Sequence, residues 1–281
     1  MKLGSNVGVL RVGSTAVAAV KRGTDRVYDA DVAAFQKASD AADVTGIMDL
    51  VDYLKGQSLW DYARFYPMKS SQNAGSGSTV YGLGGLTSNN MTLVNSPTWG
   101  SGGVTFDAGS SQYGDCGTIG IGGDVEAYVR LAFTDAAGVY GSLSGYYATA
   151  GVNNRYFLAE RTNSGQIRLL RSLSGTGAAV DITQSSDLVD TTEDQALVFS
   201  SPSGEDVNIF QNNTDLTEVI TQAGEQGIQT LPADLYFAAR NNAPAGSPVG
   251  YISMTGGCFC ILDTVTTSTQ RETITDLINA L

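Results

Sequence analysis

Residues 124 to 133 alternate between an apolar set and a second, mostly polar set of side chains, and this pattern limits the fold more than any other feature of the chain. Successive side chains of an extended strand point to opposite faces, so the apolar set would face a core and the polar set would face water. The apolar set is Val125, Ala127, Val129, Leu131 and Phe133, and the second set is Glu126, Tyr128, Arg130 and Ala132. The pattern predicts a half-buried strand of a β-sandwich.

Similar segments follow along the chain, separated by turns rich in Gly, Asn, Asp and Ser. They are residues 155–161, 166–171, 195–200, 206–211 and 235–240. Because helices do not alternate with these strands, the sequence predicts a mainly β, antiparallel sandwich. The 281 residues include 34 Gly and no His, and only 16% are charged, which is typical of a turn-rich β protein.

Charge and hydropathy exclude two classes of partner. The formal net charge of −12 excludes a nucleic-acid surface, since phosphate binding depends on clustered Lys and Arg. The chain has no uninterrupted apolar run of about 18 residues, so we expect no membrane partner. The N-terminal residues Met1 to Ser5 do not resemble a signal-peptide core. The chain has three cysteines, so at least one thiol stays free whichever two form a disulfide. These features predict a protein folded in a reducing cytoplasm.

Helices are predicted at two places. Residues 30–55 carry apolar stripes at helical spacing in two parts, with Asp29 or Asp31 as the first N-cap, Gly46 as the separator and Thr45 as the second cap. At the end of the chain, Ile274, Leu277, Ile278 and Leu281 form one stripe. Thr269 and Glu272 have the spacing of a capping box for this last helix.

The first 28 residues repeat a Gly-Ser or Gly-Thr turn before β-branched residues at a spacing of about ten. The valines of this segment are Val7, Val12, Val17, Val20 and Val27. Short strands of this kind cannot bury a core alone, so the segment is either an attachment arm that pairs with a partner or a small β-meander packed on its own chain. The predicted organisation is an arm at 1–28, a helical connector at 29–58 and a sandwich at 59–281.

Two parts of the chain carry a family resemblance. Residues 59–107 contain Asn95-Ser96-Pro97-Thr98-Trp99 and then Gly103-Val104-Thr105-Phe106-Asp107, and residues 233–281 contain the strand 235–240, a last strand at 253–262 and a short helix. Together they resemble the two ends of a laminin G-like, concanavalin A-like jelly roll. The resemblance implies a jelly-roll sandwich over residues 59–281, a scaffold that hosts lectins, hydrolases and structural modules. It also implies that Trp99 anchors the core or an edge of the sandwich. Trp60 is given the same role because apolar residues flank it.

The N-terminal arm resembles the Gly-Ser-Thr-x-x-Val repeats of tailed-bacteriophage virion proteins. This resemblance implies a phage structural protein that decorates the capsid or belongs to the tail, located in the virion after folding in the host cytoplasm. Its partners would be other virion proteins and further copies of itself, with a trimer as the implied homo-oligomer. The main hypothesis is therefore a virion protein that attaches through its arm and displays the jelly roll.

Available chemistry points away from catalysis. The absence of His excludes Ser-His-Asp and Cys-His mechanisms. Jelly-roll glucanases use Glu-x-Asp-x-Glu or Glu-x-Asp-x-x-Glu on one strand, and neither pattern occurs here. The sequence therefore predicts no enzyme, no catalytic residue and no cofactor, with a glycosidase as the least favoured hypothesis.

Metal sites are not predicted either. The acidic segment 187–194 is interpreted as a solvated turn, with a Ca²⁺ site as the alternative. Cys258 and Cys260 would share one strand face with Phe259 on the other. With Cys116 as the remaining cysteine, these thiols are interpreted as buried apolar groups.

An aromatic and amide-rich segment gives the alternative function. Tyrosines can stack on sugar rings while Asn and Arg side chains bind hydroxyl groups. The candidate glycan patch consists of Tyr140, Tyr146, Tyr147, Asn153, Asn154, Arg155 and Tyr156. Cross-strand aromatic packing around an Asn-Asn turn explains the same residues without a ligand. The second hypothesis is thus a lectin-like module that binds host or environmental polysaccharide.

Overall fold

A computed structural model gives the three-dimensional structure of the chain. It describes residues 11–281 except 13–14, 17–18, 23–24, 87–88, 122–123, 135–140, 149–155, 163–164, 173–179, 186–193, 203–206, 222–233 and 244–246. Three α-helices lie in these ranges: α1 (Ala30–Ser39), α2 (Thr45–Gly56) and α3 (Ser268–Ala280). Short 3-10 helices occupy Trp60–Tyr62 and Ala108–Ser110. None of these helices is long and apolar enough to cross a bilayer.

Strands account for most of the other described residues. In the first part they are β1 (Arg11–Val12), β2 (Thr15–Ala16), β3 (Ala19–Arg22), β4 (Asp25–Asp29), β5 (Ala63–Pro67), β6 (Thr79–Val80), β7 (Met91–Val94), β8 (Thr98–Trp99), β9 (Val104–Phe106), β10 (Tyr113–Thr118) and β11 (Val125–Phe133). In the second part they are β12 (Gly141–Ala148), β13 (Tyr156–Arg161), β14 (Ile167–Ser172), β15 (Val180–Ser185), β16 (Gln195–Ser201), β17 (Asn208–Gln211), β18 (Thr214–Asp215), β19 (Thr217–Thr221), β20 (Asp234–Phe237), β21 (Arg240–Ala243), β22 (Ser247–Val249) and β23 (Met254–Leu262).

Two large sheets form the body of the protein. The eleven-stranded sheet has the order β19-β15-β14-β13-β12-β20-β10-β7-β6, with β21 paired to β12 and β22 paired to β21. The eight-stranded sheet has the order β18-β17-β16-β11-β23-β9-β8, with β5 also paired to β23. Within the second sheet, β11 is antiparallel to both β16 and β23. The mainly β, antiparallel sandwich predicted from the sequence is confirmed.

Apolar side chains of both sheets meet in one core between them. Phe259 of β23 lies at its centre, with ring centroids 5.1 Å from Phe237 of β20 and 6.3 Å from Tyr66 of β5. All three side chains are fully buried. Phe237 also meets Phe106 edge-on at 5.6 Å. Burial of such aromatic rings supplies a large share of the free energy that holds the two sheets together.

A second apolar cluster lies on the outer face of the eight-stranded sheet, beneath the helices. Ile47 and Leu50 of α2 and Ile274 of α3 are fully buried there. Cys258 and Cys260 belong to this cluster, whereas Phe259 belongs to the core between the sheets, as the alternation of β23 predicts. The helices therefore close one outer face of the sandwich.

This helical layer corrects the half-buried interpretation of β11. Glu126 and Tyr128, which the alternation places in water, are fully buried. Their strand face does point away from the core between the sheets, but the helices and the segment before α3 cover it. A period of two predicts which residues share a face, and it gives no sign of what packs on that face.

The helix boundaries differ from the prediction at both places. Asp29 is the N-cap of α1, as predicted, and its Oδ1 accepts from the backbone N–H groups of Asp31 and Val32 at 2.9 and 3.4 Å. The break between α1 and α2 falls at residues 40–44, and Gly46 lies within the first turn of α2. Gly46 allows a close approach, because a Cβ there would lie 3.1 Å from Leu281 Cδ2. Val44 occupies the N-cap position of α2, and Thr45 is its first residue.

The capping box of α3 lies two residues before the predicted pair of Thr269 and Glu272. Thr267 is the N-cap, and its Oγ1 accepts from the backbone N–H of Gln270 at 3.3 Å. Gln270 Oε1 accepts in return from the backbone N–H of Thr267 at 3.0 Å. Thr-x-x-Gln satisfies the same donors as Thr-x-x-Glu, so both pairs fit the sequence signature and only the backbone decides between them.

Strands of the family resemblance occupy the sandwich. Val104–Phe106 forms β9 beside β23 and β8. Gly103 precedes it at a φ of 142°, and a Cβ there would overlap the carbonyl oxygen of Gly256. The predicted strand 235–240 divides into β20 and β21, because Ala238 adopts a left-handed backbone with a φ of 63°.

Part of the N-terminal segment forms short strands. β1 pairs with β2 and β3 pairs with β4, so Val12, Val20 and Val27 lie in two-stranded ribbons. Val7 and Val17 lie outside the described residues. The three-part division at 1–28, 29–58 and 59–281 stays a prediction.

Candidate functional site: the outer face of the large sheet

The outer face of the eleven-stranded sheet differs from the outer face that the helices cover. Register aligns Thr79, Thr92, Asp115 and Tyr236 in one row across β6, β7, β10 and β20. Residues in register share a face, and Thr92 is exposed while Thr79 and Asp115 are partly exposed. Gly114 and Cys116, the neighbours of Asp115, alternate to the buried side. This face presents hydroxyl, carboxylate and aromatic groups to solvent.

Three tyrosines lie against one another on this face. The ring of Tyr113 is 4.9 Å from that of Tyr236 and 6.2 Å from that of Tyr251, each pair tilted by 48°. Tyr236 is 5% exposed and forms the floor, whereas Tyr113 and Tyr251 are partly exposed. The hydroxyl of Tyr251 donates to the carbonyl oxygen of Pro248 at 3.0 Å. The rings therefore form a fixed aromatic surface rather than separate mobile side chains.

Two carboxylates border these rings. Asp115 Oδ1 accepts from the backbone N–H of Gly117 at 2.8 Å, and Asp234 Oδ1 accepts from the Thr118 hydroxyl at 2.9 Å. These hydrogen bonds hold both carboxylates in defined positions beside the tyrosines. We refer to Tyr113, Asp115, Asp234, Tyr236 and Tyr251 as the tyrosine cluster.

The cluster has a negative local potential. Burial raises the pKa of Asp115, the bond from Gly117 opposes this shift, and the nearby Asp234 raises the pKa further. Burial and then the charge of Asp115 raise the pKa of Tyr236 to about 12. The pKa of Tyr113 is raised by burial and by Asp115. Both phenols are therefore protonated at neutral pH and able to donate hydrogen bonds.

The predicted glycan patch reaches the same sheet. Gly145 is the register partner of Tyr236, and Tyr147 of β12 is the register partner of Tyr156 of β13. Tyr146 also lies on β12, where its register partner is Phe157. Tyr140, Asn153, Asn154 and Arg155 lie outside the described residues. The patch as a whole stays a prediction.

A surface cavity of about 340 Å³ lies beside the helices and is lined by Asp31, Lys55, Ser58, Trp60 and Asp61. Lys55 Nζ donates to both carboxylate oxygens of Asp29 at 2.9 Å and also bonds Asp31. The same ammonium group lies 4.6 Å from the centroid of the Trp60 ring. These groups bind one another across α1, α2 and the first 3-10 helix. The polar lining of the cavity is therefore best explained by contacts that hold these elements together, without a ligand.

Among the described residues, Glu126 with Tyr128 and the three cysteines are buried ionisable groups without the properties of a reactive site. Glu126 Oε2 accepts from the Tyr128 hydroxyl at 2.8 Å and from the Thr266 hydroxyl at 2.5 Å. Burial raises the pKa of Glu126 and of Tyr128. It also raises the pKa of Cys116, Cys258 and Cys260, so these thiols are protonated and poor nucleophiles. Residues 187–193 of the acidic segment lie outside the described residues, and Asp194 pairs with Arg130 at 2.5 Å.

Comparison with known proteins gives a likeness of fold. No family model and no curated protein matches the chain. The structure is similar to that of Trypanosoma rangeli sialidase, with a TM-score of 0.54 and 8% identity over 83% of this chain and 38% of the sialidase. A T. rangeli sialidase mutant displaying trans-sialidase activity gives a TM-score of 0.53 at 9% identity, over 83% of this chain and 39% of the mutant. The CBM40 of Ruminococcus gnavus IT-sialidase, bound to α2,3-sialyllactose, gives 0.44 at 11% identity over 55% of this chain and 83% of the CBM40.

These likenesses show the fold alone, and the chain spans well under half the length of the T. rangeli sialidases it matches. They nevertheless correct the prediction that the chain is not an enzyme. The missing His and the missing glucanase motif exclude particular mechanisms, whereas structures with this fold include sialidases, which are enzymes. The comparisons give no support to a phage virion protein.

Sequence reasoning missed the tyrosine cluster because its members come from three distant segments. Two local signals were present. Tyr113-Gly114-Asp115 and Asp234-Leu235-Tyr236 each place a tyrosine and a carboxylate two residues apart, hence on one strand face. The pairing of β10 with β20, which brings the two signals together, has no local signature.

Proposed function

We propose that this chain is a glycan-binding module and that the tyrosine cluster forms its binding surface. The observation that carries the proposal is the set of packed tyrosine rings, bordered by carboxylates, on the sheet face opposite the helical layer. The likeness of the fold to a sialidase supports the choice of a carbohydrate over other ligands.

The chemistry of the cluster suits a sugar ring. The apolar C–H face of a pyranose can pack on the partly exposed rings of Tyr113 and Tyr251. Sugar hydroxyl groups can donate to the carboxylate of Asp115, and such charge-assisted hydrogen bonds are stronger than neutral ones. Tyr236, already buried beneath Tyr113, fixes the ring positions before a ligand arrives, which lowers the entropy cost of binding.

A tyrosine substitution tests this proposal. Tyr113→Ala removes a central ring, and we expect it to weaken binding at least tenfold on a glycan array and in calorimetric titration of the best array ligand. Tyr62→Ala is the matched control, since Tyr62 is 48% exposed in the 3-10 helix Trp60–Tyr62 next to α2. Equal loss in both variants, or no binding by the unmodified protein across the array, contradicts the proposal.

A specific observation also favours a second role, attachment through the N-terminal segment. Among the described residues, β1 to β4 pair only within two-stranded ribbons and join neither large sheet. Such ribbons are marginally stable alone and can be extended by a partner's strand. We infer that the segment docks the glycan-binding module onto a larger assembly, of which the virion is the predicted example.

Deletion of residues 1–28 tests the docking role. The truncated protein keeps Asp29, the N-cap of α1, so we expect its thermal unfolding midpoint to stay within a few degrees of that of the full chain. Chemical cross-linking and light scattering of the full chain should show oligomers or partner complexes that the truncated protein has lost. The same association state for both proteins argues against docking.

A further inference from the structure

The tyrosine cluster carries a charge pattern that selects among glycans. Asp115 and Asp234 both border the rings, and Asp115 is the register partner of Tyr236, the floor of the cluster. Thr118, which anchors Asp234, is the register partner of that residue on the neighbouring strand. Backbone pairing and hydrogen bonds thus fix both carboxylates, so neither can swing away freely when a ligand approaches.

A further negative charge is unfavourable at this position. Burial and the charge of Asp234 already raise the pKa of Asp115, so the surroundings disfavour the ionised form of the Asp115 side chain. The carboxylate of a sialic acid or a uronic acid, placed on the same rings, would lose part of its hydration and meet two like charges. A neutral sugar meets no such cost, and its hydroxyl groups find acceptors in the same two carboxylates.

The whole molecule adds a long-range contribution of the same sign. A formal net charge of −12 repels anionic ligands before contact. This repulsion is screened over about 8 Å at physiological ionic strength, so it depends on salt, whereas the approach of a neutral ligand does not.

We infer that the tyrosine cluster binds neutral oligosaccharides and discriminates against sialylated and uronic-acid-containing glycans. This inference rests on the proposed glycan-binding function and names its ligand class. It separates the chain from the CBM40 that is described in complex with sialyllactose, despite a likeness between the two folds.

The test uses pairs of glycans that differ by one charged sugar. The full chain is titrated on an array with lactose and α2,3-sialyllactose, with N-acetyllactosamine and its sialylated form, and with neutral and uronate polysaccharides, at 50 and 500 mM NaCl. We expect at least one neutral glycan to bind at least tenfold more tightly than its acidic partner. The difference should narrow at high salt, because only the acidic glycan gains from screening.

Asp115→Asn locates the selectivity within the cluster. Asparagine keeps an oxygen acceptor for Gly117 but removes the charge, so the ratio of neutral to acidic affinity should fall at least threefold. Asp49→Asn, on the exposed face of α2, removes one charge elsewhere and should leave the ratio unchanged. Circular dichroism of both variants verifies that they fold.

The outcomes separate the two proposals. If acidic glycans bind as tightly as their neutral partners or more tightly, the selectivity inference is wrong and the glycan-binding function stands. An unchanged ratio in Asp115→Asn also overturns the inference, since the discriminating charge would then lie elsewhere. If neither class binds, the proposed function fails and the inference fails with it.

Discussion

Glu126 is an ionisable residue that is fully buried in the sandwich. It lies on β11, and its Oε2 accepts from the Tyr128 hydroxyl and from both the backbone N–H and the hydroxyl of Thr266. Burial is the largest influence on its pKa, which is raised despite these hydrogen bonds and the nearby Arg271. The network therefore orients the segment before α3 at some cost in folding free energy.

The raised pKa of Glu126 predicts a pH-dependent effect of Glu126→Gln. The folded state binds this proton more tightly than the unfolded state, so the contribution of Glu126 to stability falls as pH rises from its ordinary pKa of 4.5 through the higher folded value. The glutamine cannot ionise and keeps an oxygen acceptor for Tyr128 and Thr266. We therefore expect the stability of the variant relative to the unmodified protein to increase as pH rises from 4 to 8.

Urea unfolding at several pH values measures this difference. Glu272→Gln, at an exposed position of α3, controls for the removal of one negative charge. A variant that instead loses stability relative to the unmodified protein as pH rises shows that the ionised carboxylate is favourable, contrary to the structure.

Among the elements, α3 depends most clearly on its first turn. The Thr267 and Gln270 capping box satisfies backbone donors that the helix cannot pair internally. Ile274 and Ile278 then bury one stripe against the eight-stranded sheet, and Arg271 lies over the ring of Phe210 at 3.7 Å. Fraying of this turn would loosen the cover over Glu126 and Tyr128.

The observed cap predicts different effects for two neighbouring threonines. Thr267→Ala removes the N-cap acceptor and should lower the free energy of unfolding by about 1 kcal/mol. Thr269→Ala changes an exposed threonine within the helix, where alanine is the better helix former, so we expect no loss. Chemical denaturation of both variants distinguishes the observed cap from the one that the sequence pattern favoured, and a larger loss in Thr269→Ala contradicts the structure.

Sequence patterns predict helices and strands better than they predict which segments pack against one another. The structure confirms several local patterns, namely which residues of β11 and β23 share a face, Asp29 as a cap, and the stripes of α2 and α3. The covered face of β11 and the tyrosine cluster depend on contacts between segments far apart in sequence, so no local period contains them. Thr267 and Thr269 show the intermediate case, in which two local signals compete and the backbone path decides.

At the scale of the whole molecule, the central aromatic rings couple the two sheets. The ring of Phe259 in the eight-stranded sheet packs on the ring of Phe237 in the eleven-stranded sheet, with 5.1 Å between the ring centroids. Both side chains are fully buried. Since each sheet buries its inner face only against the other, neither is expected to persist alone. The sandwich should therefore unfold in one cooperative transition.

Phe259→Ala tests this coupling. The substitution leaves a cavity between the sheets, and we expect it to destabilise the protein by about 3–5 kcal/mol. Phe259→Leu keeps most of the apolar volume and should cost clearly less. Fluorescence and circular dichroism should follow the same unfolding curve in each variant, whereas separate curves would mean that the sheets unfold independently.

The three buried thiols have a practical consequence. Cys116, Cys258 and Cys260 are fully buried, and their raised pKa values keep them in the unreactive form. To an alkylating reagent the folded molecule thus behaves as if it contained no cysteine. A single cysteine introduced at position 49 on α2 would accept a fluorophore or a surface linker selectively, and the attached protein would present its tyrosine-bearing side outward for ligand measurements.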